Sequence, residues 1–324
     1  MTQIYTLEQI KRVSGTIDVA PLIEAGFAAY SEGRVVVPPV GELSFIEPPG
    51  DTHIKYGYIK GDDCFVVKIA SGFYDNPRIG LPSNSGLMLV FSQKSGMLQA
   101  VLLDEGYLTD VRTAVAGRVA ATYLAPADVD AIGIVGTGIQ ARMQVVELKA
   151  VTACRKLVVW GRDEDRLAAY RADMEREGFS VETTMEAADI GRYCNLIVTA
   201  TPSSSPILEA AHIRPGTHIT AMGADTESKQ ELDSDILAGA DLVVADSIPQ
   251  CVERGEIARA LKNGCITQEH ITELGQIITG AAPGRSNDGQ ITVADLTGVA
   301  VQDIQIARAV CDALAGEDTQ TGDR

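Results

Sequence analysis

The sequence predicts an α/β protein that combines a doubly wound parallel sheet with a second, α+β region. One observation is a strand–glycine turn–helix pattern over 131–144, Ala-Ile-Gly-Ile-Val-Gly-Thr-Gly-Ile-Gln-Ala-Arg-Met-Gln. Another is the alternation of strands and helices from Asp130 onward, which is typical of a parallel sheet covered by helices. Before that point, short strands separated by turn residues indicate a mainly antiparallel sheet. At 324 residues the chain is long enough for both regions.

The glycine turn has the pattern of a dinucleotide-binding site. The apolar strand Ile132–Val135 leads into it, and an amphipathic helix follows. Gly136 permits the tight turn, Gly138 lets the backbone approach a pyrophosphate, and Ala141 allows close helix–strand packing. The helix N-terminus adds free N–H groups and a positive dipole end. A purely structural strand-to-helix turn is the alternative. The cofactor-binding residues predicted from the turn are Gly136, Thr137, Gly138, Ile139 and Gln140.

The second strand of this region bears on the choice of cofactor. Its end reads Trp160-Gly-Arg162-Asp163. In this fold an acidic residue there binds the ribose 2′-hydroxyl, whereas an arginine accommodates a 2′-phosphate. Arg162 therefore favours NADP over NAD, unless it is only a solvated surface charge. Asp163 and Glu164 keep NAD open, because either could bind a ribose or simply begin the next helix.

The first third of the chain contains the predicted antiparallel sheet. Residues 6–13 and 17–31 have helical periodicity. Thr109 is a plausible N-cap for a helix that runs to about Leu124, and Pro126 ends it and marks a domain boundary. Strands are predicted at His53–Lys60, Cys64–Ala70, Gly86–Ser92 and Leu98–Leu103.

From Asp130, beyond the boundary at Pro126, strands and helices alternate and predict the doubly wound parallel sheet. Strands are predicted at 131–136, 156–161, 180–184, 195–200, 217–222, 241–245 and 292–296. Helices are predicted at 139–150, 163–177, 254–263 and 298–314.

Composition and charge exclude several classes of partner. A net charge of −17 disfavours nucleic acid and anionic membrane surfaces. The N-terminus has no secretory pattern and no apolar run approaches membrane-spanning length, so a cytoplasmic protein is expected. The six cysteines have no zinc spacing and are expected to be reduced. The four histidines show no metal-ligand spacing either, and no metal is expected.

Two basic residues are candidates for binding an anionic substrate. Lys68 has apolar neighbours on both faces of its strand, so its ammonium group is either directed to the surface or paired inside, and a substrate carboxylate would serve. Arg112 is predicted in the first turn of the helix after Thr109, where a cation opposes the helix dipole. It either pairs with an acid such as Asp110 or, together with the helix N-terminus, binds a carboxylate.

Asp225 is the candidate acid–base residue. It follows an apolar strand in Thr-Ala-Met-Gly-Ala-Asp, at the carboxyl end of a sheet strand, where ligands of such sheets bind. A carboxylate there can act as general acid or base beside a nicotinamide. A helix-capping role is the alternative.

Taken together, the motifs resemble the ornithine cyclodeaminase/μ-crystallin family over nearly the whole chain. The motifs are Pro38-Pro39, Lys68-Ile-Ala-Ser-Gly with Asn76-Pro, Leu108-Thr-Asp-Val-Arg112-Thr-Ala, Gly-Thr-Gly-Ile-Gln140-Ala, Gly223-Ala-Asp225 with Glu231-Leu-Asp, Arg254-Gly-Glu256, Leu274-Gly-Gln-Ile-Ile and Leu296-Thr-Gly-Val-Ala-Val-Gln-Asp303. The resemblance implies a homodimer that binds NAD(H) or NADP(H) and acts on α-amino or α-imino acids. It implies a substrate-binding and dimerisation domain of residues 1–125 with 298–324, and a Rossmann domain of residues 126–297 inserted between them.

The resemblance also implies roles for individual residues. Lys68 and Arg112 would hold the substrate carboxylate, Asp225 and Lys68 would be the catalytic residues, and Thr113 would contact the cofactor. One position departs from the family: many relatives carry a carboxylate-binding arginine after Pro38-Pro39, where this chain has Val40. Nearby Lys55 is a new cation and a further predicted substrate-binding residue. This departure argues against ornithine itself. The stretches 72–77 and 102–110 are similar to a branch associated with hydroxyectoine utilisation.

The predicted function is therefore an NAD(P)H-dependent reductase or dehydrogenase that acts at the α-carbon of an imino or amino acid. A cyclic imine such as 1-pyrroline-2-carboxylate is one such substrate. Two alternatives remain open. One is a cyclodeaminase-type lyase that uses NAD⁺ catalytically and releases ammonia or water. The other is a cofactor-binding protein with little turnover.

Overall fold

A computed structural model describes residues 2–73 and 75–321 of the chain. Tyr74 and residues 322–324, which belong to stretches discussed above, lie outside the described residues. The described chain forms two compact units. The discontinuous unit takes the chain up to Arg112 and again from Val299, and the continuous unit is Thr113–Gly298. The sequence prediction placed the first boundary later, after residue 125.

The helices and strands are numbered in chain order. The strands are β1 (Gln3–Thr6), β2 (Val35–Val36), β3 (Gly41–Phe45), β4 (Gly50–Ile59), β5 (Cys64–Phe73), β6 (Asn84–Ser92), β7 (Leu98–Leu103), β8 (Ile132–Val135), β9 (Lys156–Trp160), β10 (Ser180–Thr184), β11 (Leu196–Thr199), β12 (Ser204–Leu208), β13 (His218–Ala221), β14 (Gln230–Leu232), β15 (Leu242–Ala245), β16 (Ile271–Glu273) and β17 (Thr292–Asp295). The helices are α1 (Leu7–Ser14), α2 (Ala20–Ser31), α3 (Tyr107–Leu124), α4 (Ile139–Glu147), α5 (Glu164–Arg176), α6 (Ala187–Tyr193), α7 (Ser234–Ala238), α8 (Ile248–Cys251), α9 (Gly255–Lys262), α10 (Leu274–Ile278) and α11 (Ala300–Thr321).

The discontinuous unit is built on a seven-stranded sheet with the order β1-β7-β6-β5-β4-β2, and β3 also pairs with β4. Apart from the parallel pair β1–β7, its neighbouring strands are antiparallel, as predicted. Helix α11 packs on β4 and β5 and also contacts α1 and α2. Ile10, Ile23, Phe27 and Met88 are among its fully buried side chains. The last helix of the chain is therefore part of the core that the first hundred residues begin.

Helix α3 begins earlier than the sequence predicted. Thr109 is not its N-cap, because the helix already begins at Tyr107. The Asp104 side chain instead accepts a hydrogen bond from the Leu108 backbone N–H at 2.8 Å, and this bond satisfies one of the free donors of the first turn. Arg112 consequently lies in the second turn, where the helix dipole acts on it less strongly.

The continuous unit contains the predicted doubly wound sheet. Eight parallel strands have the order β10-β9-β8-β11-β13-β17-β15-β16. The strand order reverses between β8 and β11, which is where sheets of this type bind their ligands. The predicted strands of this region are confirmed to within about two residues. A separate two-stranded sheet, β12–β14, and the short strand β16 had no counterpart in the prediction.

Burial on both faces explains why the sheet strands read as continuous apolar runs. Ile132 and Ile134 of β8 pack in one cluster with α4 and α5 residues, whereas Val135 packs in a second cluster on the other face. Within the described residues, no helix is both long and apolar enough to span a bilayer.

Candidate functional site

Two lysines lie side by side inside the discontinuous unit. Lys55 on β4 is paired in register with Lys68 on β5, and only 6% and 2% of their surfaces are exposed. Residues directly opposite each other in an antiparallel pair share one face of the sheet. The face that carries both lysines is the buried one, because β4 and β5 alternate buried and more exposed positions there. Of the two alternatives left open for Lys68, the structure shows the buried one, and Lys55 is buried beside it.

Asp303 of α11 joins the two cations that the sequence singled out. Its carboxylate lies 3.2 Å from Lys68 Nζ and 3.0 Å from Arg112 Nε. Arg112 Nη1 also donates to Gln302 Oε1 at 2.7 Å. All four side chains are at least nine-tenths buried. We call Lys68, Arg112, Asp303 and Gln302 the cation cluster. Arg112 is thus paired with an acid that is distant in the sequence, Asp303.

Electrostatics set the protonation state of Lys68. Burial is the largest cause that lowers its pKa to about 7, and the neighbouring charges of Arg112 and Lys55 act in the same direction. Asp303 opposes this by its charge and its hydrogen bond. Lys68 therefore changes its protonation state near neutral pH, which an ordinary lysine does not do.

The glycine turn after β8 has the geometry that a bound dinucleotide requires. Gly136 has φ +119°, and a Cβ there would lie 2.8 Å from the Ala200 carbonyl oxygen, so this position requires glycine. Gly138 is the N-cap of α4, and a Cβ on it would meet no heavy atom within 4 Å. The open space therefore lies in front of a helix N-terminus, where phosphate groups bind. The residues of the turn fit the predicted cofactor.

The other predicted cofactor residues surround this turn or follow the next strand. Ile139 is exposed, and Thr137 and Gln140 are half-buried. The Thr113 carbonyl accepts a hydrogen bond from the buried Gln144 Nε2 at 3.0 Å, which ties α3 to α4. Sequence reasoning did not single out Gln144, although it is one of the few polar residues on the buried face of α4.

Asp163 and Arg162 follow the end of β9, and the sequence left the roles of both open. Asp163 is the N-cap of α5, and its Oδ1 accepts from the Arg166 backbone N–H at 2.9 Å. One of its carboxylate oxygens therefore caps the helix, as one of the two alternatives required. Arg162 is exposed and directly follows the strand end. That position is the one at which a 2′-phosphate would be recognised.

Asp225 lies in the irregular segment between β13 and β14. It caps no helix in the structure, so the helix-cap alternative is wrong. Its Oδ1 accepts a hydrogen bond from Lys229 Nζ at 2.6 Å. The Asp225 side chain is 36% exposed, which leaves it accessible to a ligand. The segment begins directly after the carboxyl end of β13, as predicted.

A buried carboxylate holds the beginning of this segment. Glu231 accepts hydrogen bonds from Thr201 N, Thr201 Oγ1, Thr199 Oγ1 and Gly223 N at 2.6–2.9 Å. Glu256 in turn accepts from the backbone N–H groups of Glu231 and Leu232. Burial raises the pKa of Glu231 to about 7, although the hydrogen bonds from the two threonines oppose the rise. Glu231 and Glu256 belong to motifs that carry the family resemblance, but the sequence gives no indication of this role.

Other chemistries find little support in the described part of the chain. It contains no group of three or more His, Cys, Asp or Glu residues placed to hold a metal ion. Cys64, Cys194 and Cys251 are buried free thiols. Burial raises the pKa of Cys194 to about 12, so this thiol stays protonated at neutral pH.

The fold and the glycine turn place the continuous unit among the Rossmann-type nucleotide-binding domains. The model of the ornithine cyclodeaminase/mu-crystallin family matches residues 1–318, so the chain belongs to this family. The resemblance seen in the sequence is thereby confirmed.

Three relatives show the range within the family. A Rhizobium meliloti (strain 1021) protein provisionally described as a dehydrogenase is 44% identical over 88% of this chain and 87% of its own. The alanine dehydrogenase of Archaeoglobus fulgidus is 33% identical over 95% of this chain and 94% of its own. The solved structure of Thermococcus litoralis Δ1-pyrroline-2-carboxylate reductase with NADH and L-proline has a TM-score of 0.92 at 26% identity. It covers 98% of each chain.

Proposed function

We propose that this protein is a nicotinamide-dependent reductase or dehydrogenase that acts at the α-carbon of an amino or imino acid. The observation that carries the proposal is the buried cation cluster, in which two basic side chains share one carboxylate. Charged groups are buried at this density only at substantial cost, so a function is expected for them. The relatives described above support the same reaction class.

The cation cluster would bind the substrate carboxylate. While Lys68 is protonated, Lys68 and Arg112 together carry one more positive charge than Asp303 balances. An incoming carboxylate restores neutrality and can receive charge-assisted hydrogen bonds from both basic groups. Lys55, opposite Lys68 in the sheet, is a further basic side chain on the same face. Because Val40 replaces the arginine found in many relatives, this arrangement would favour a substrate other than ornithine.

The glycine turn would hold the dinucleotide. Gly136, Gly138 and the N-terminus of α4 would bind the pyrophosphate, with Thr137, Ile139, Gln140 and Thr113 beside them. Bound there, the nicotinamide would supply the hydride for the substrate α-carbon in reduction, or accept it in oxidation. Exposed Arg162 favours NADP, whereas the family relatives with solved complexes bind NAD or NADH. We keep NADP as the slightly favoured cofactor and NAD as the alternative.

Asp225 would donate and accept the proton that is transferred in the reaction. In the reduction of an imine, the α-carbon receives the hydride and the nitrogen receives a proton, so the C=N bond becomes a C–N single bond. A carboxylic acid at Asp225 can donate that proton and recover it when the reaction runs in reverse. The Lys229 ammonium group, which donates to Asp225 Oδ1, lies beside it. Lys68 is the second titrating group, because its pKa of about 7 keeps both of its forms populated near neutral pH.

A lyase of the ornithine cyclodeaminase type is the alternative function. It would need the same cofactor and the same carboxylate-binding residues, and the cofactor would be restored in each turnover so that no net oxidation occurs. We further propose a cytoplasmic homodimer, in which the discontinuous unit binds the substrate and dimerises.

Nicotinamide absorbance over time tests the function. The purified protein is given NADPH or NADH with a panel of cyclic imines and with keto acids plus ammonium or amines. Stoichiometric oxidation supports the reductase, and the better substrate identifies the branch. Release of ammonia or water from an amino acid with only trace NAD⁺, and no net change in absorbance, supports the lyase instead. Dinucleotide binding without turnover on either panel contradicts both.

A further inference from the structure

The segment that carries Asp225 is fixed to a neighbouring strand through one buried side chain. Glu231 is fully buried and accepts four hydrogen bonds. Three come from the end of β11, at Thr199 and Thr201, and the fourth comes from the backbone N–H of Gly223, two residues before Asp225. One carboxylate therefore joins two adjacent strand ends of the parallel sheet.

The fit at this junction is tight. A Cβ on Gly223 would lie 2.2 Å from the Thr201 carbonyl oxygen and 2.5 Å from Glu231 Oε2, which no side chain tolerates. The backbone of Glu231 is itself held, since its N–H donates to Glu256 Oε1 at 2.6 Å. Glu231 therefore has little freedom, and neither has the Gly223 peptide that it binds.

We propose that Glu231 is a positioning residue that fixes the 222–225 segment, and hence the Asp225 carboxylate, against the end of β11. The proposal rests on the acid–base role proposed for Asp225. Glu231 itself is too deeply buried to reach a substrate. Its contribution is to hold the Asp225 carboxylate in one position. This matters because proton transfer is sensitive to a misplacement of about 1 Å.

The test uses Glu231→Gln, which preserves shape but not acceptor capacity. An amide has one acceptor oxygen and one NH₂ group. Whichever way it turns, either the Thr201 N–H or the Gly223 N–H faces another donor. Thr199→Val is the matched control, because it removes one hydrogen bond to the same carboxylate without touching Gly223. Glu231→Asp, which keeps the charge but shortens the side chain, replaces the glutamine variant if the latter does not fold.

Hydrogen exchange gives a result that does not depend on turnover. In Glu231→Gln we expect the Thr201 or Gly223 amide to exchange about tenfold faster or more, since a buried hydrogen bond is lost. Thr199→Val should leave the Gly223 amide protected. Unchanged protection of both amides in Glu231→Gln, or equal loss in the control, overturns the structural half of the proposal.

A double-mutant cycle of Glu231 and Asp225 on kcat, measured with the better substrate of the absorbance panel, tests whether Glu231 acts through Asp225. Glu231→Gln should lower kcat by roughly 100-fold with the dinucleotide Kd nearly unchanged, and Thr199→Val by much less. In an Asp225→Asn background, Glu231→Gln should lower the residual kcat by less than about twofold, because the group it positions is gone. An equal fold-loss in both backgrounds overturns the proposal. Full turnover by Asp225→Asn alone would instead refute the acid–base role, and the exchange experiment would be unaffected.

Discussion

Replacing Asp303 with asparagine should destabilise the discontinuous unit strongly and in a pH-dependent way. The carboxylate lies 3.0–3.2 Å from two buried cationic atoms. At an effective dielectric constant of about 20, one such contact corresponds to roughly 5 kcal/mol of attraction. Measured losses on removing one partner of a buried ion pair are about 3–5 kcal/mol, and we expect a loss in this range below neutral pH.

The pH dependence follows from Lys68. Its folded-state pKa of about 7 lies below its unfolded value, so the unfolded chain binds more protons between the two and stability rises with pH across that window. Asp303 is the partner that raises this pKa, so Asp303→Asn lowers it further and the rise begins at lower pH. The difference in the free energy of unfolding between wild type and variant is therefore largest at acidic pH. It shrinks by about 1.4 kcal/mol for each unit by which the pKa falls.

Urea unfolding at about pH 5.5 and about pH 8.5 measures both effects. Asp62→Asn is the control. Asp62 pairs at 3.0 Å with Arg308, which lies on α11 like Asp303, but both partners of this pair are partly exposed. It should cost less than about 1 kcal/mol at either pH. The reasoning is refuted if Asp303→Asn costs no more than Asp62→Asn, or if its cost is the same at both pH values.

Three further predictions concern the substrate and cofactor residues. With a carboxylate substrate, kcat/KM should fall as pH rises through about 7, because neutral Lys68 no longer binds the carboxylate. Lys68→Arg should remove that fall. If the pH–rate profiles of the wild type and Lys68→Arg are superimposable, the role of Lys68 is contradicted. Gly138→Ala should leave the melting temperature unchanged but raise the dinucleotide Kd at least about tenfold. Gly136→Ala should lower the free energy of unfolding by roughly 1–3 kcal/mol, because the residue has φ +119° and the added Cβ would contact the Ala200 carbonyl oxygen. Calorimetry distinguishes these two variants, and an unchanged dinucleotide Kd in Gly138→Ala would show that the space in front of α4 is not the binding site. Arg162→Ser should raise the KM for NADPH about tenfold and leave that for NADH nearly unchanged, and parallel changes in both constants would remove the basis for favouring NADP.

The sequence predicts what depends on local pattern. The apolar strands of the parallel sheet and the turn at Gly136 and Gly138 are visible because strand period, glycine spacing and helix start lie within one short stretch. The apolar strand neighbours of Lys68 single it out for the same reason, although they leave open whether its ammonium group is directed to the surface or paired inside. The start of α3 was missed because two capping signals compete there: Thr109 has the right side chain, but Asp104 lies where the chain actually turns.

Pairings between distant residues could not be predicted. The motif that ends in Asp303 was noticed, but nothing in its own neighbourhood indicates that its partners are Lys68 and Arg112. Likewise, the contacts of Glu231 depend on the strand order of the sheet, which brings β11 beside β13. A short strand such as β14 has too few residues to show a period, so its buried glutamate resembled any other acidic residue.

The position of α11 in the chain has a consequence for biosynthesis. Lys68 and Arg112 leave the ribosome early, but their shared carboxylate is at residue 303, near the end of the chain. Until α11 is made, the β-sheet of the discontinuous unit has neither its covering helix nor the counter-ion for its internal charges. The continuous unit suffers no such delay, because all of its strands and helices precede α11. A nascent chain would therefore complete the continuous unit first, and the discontinuous unit would depend on α11, which is translated after it.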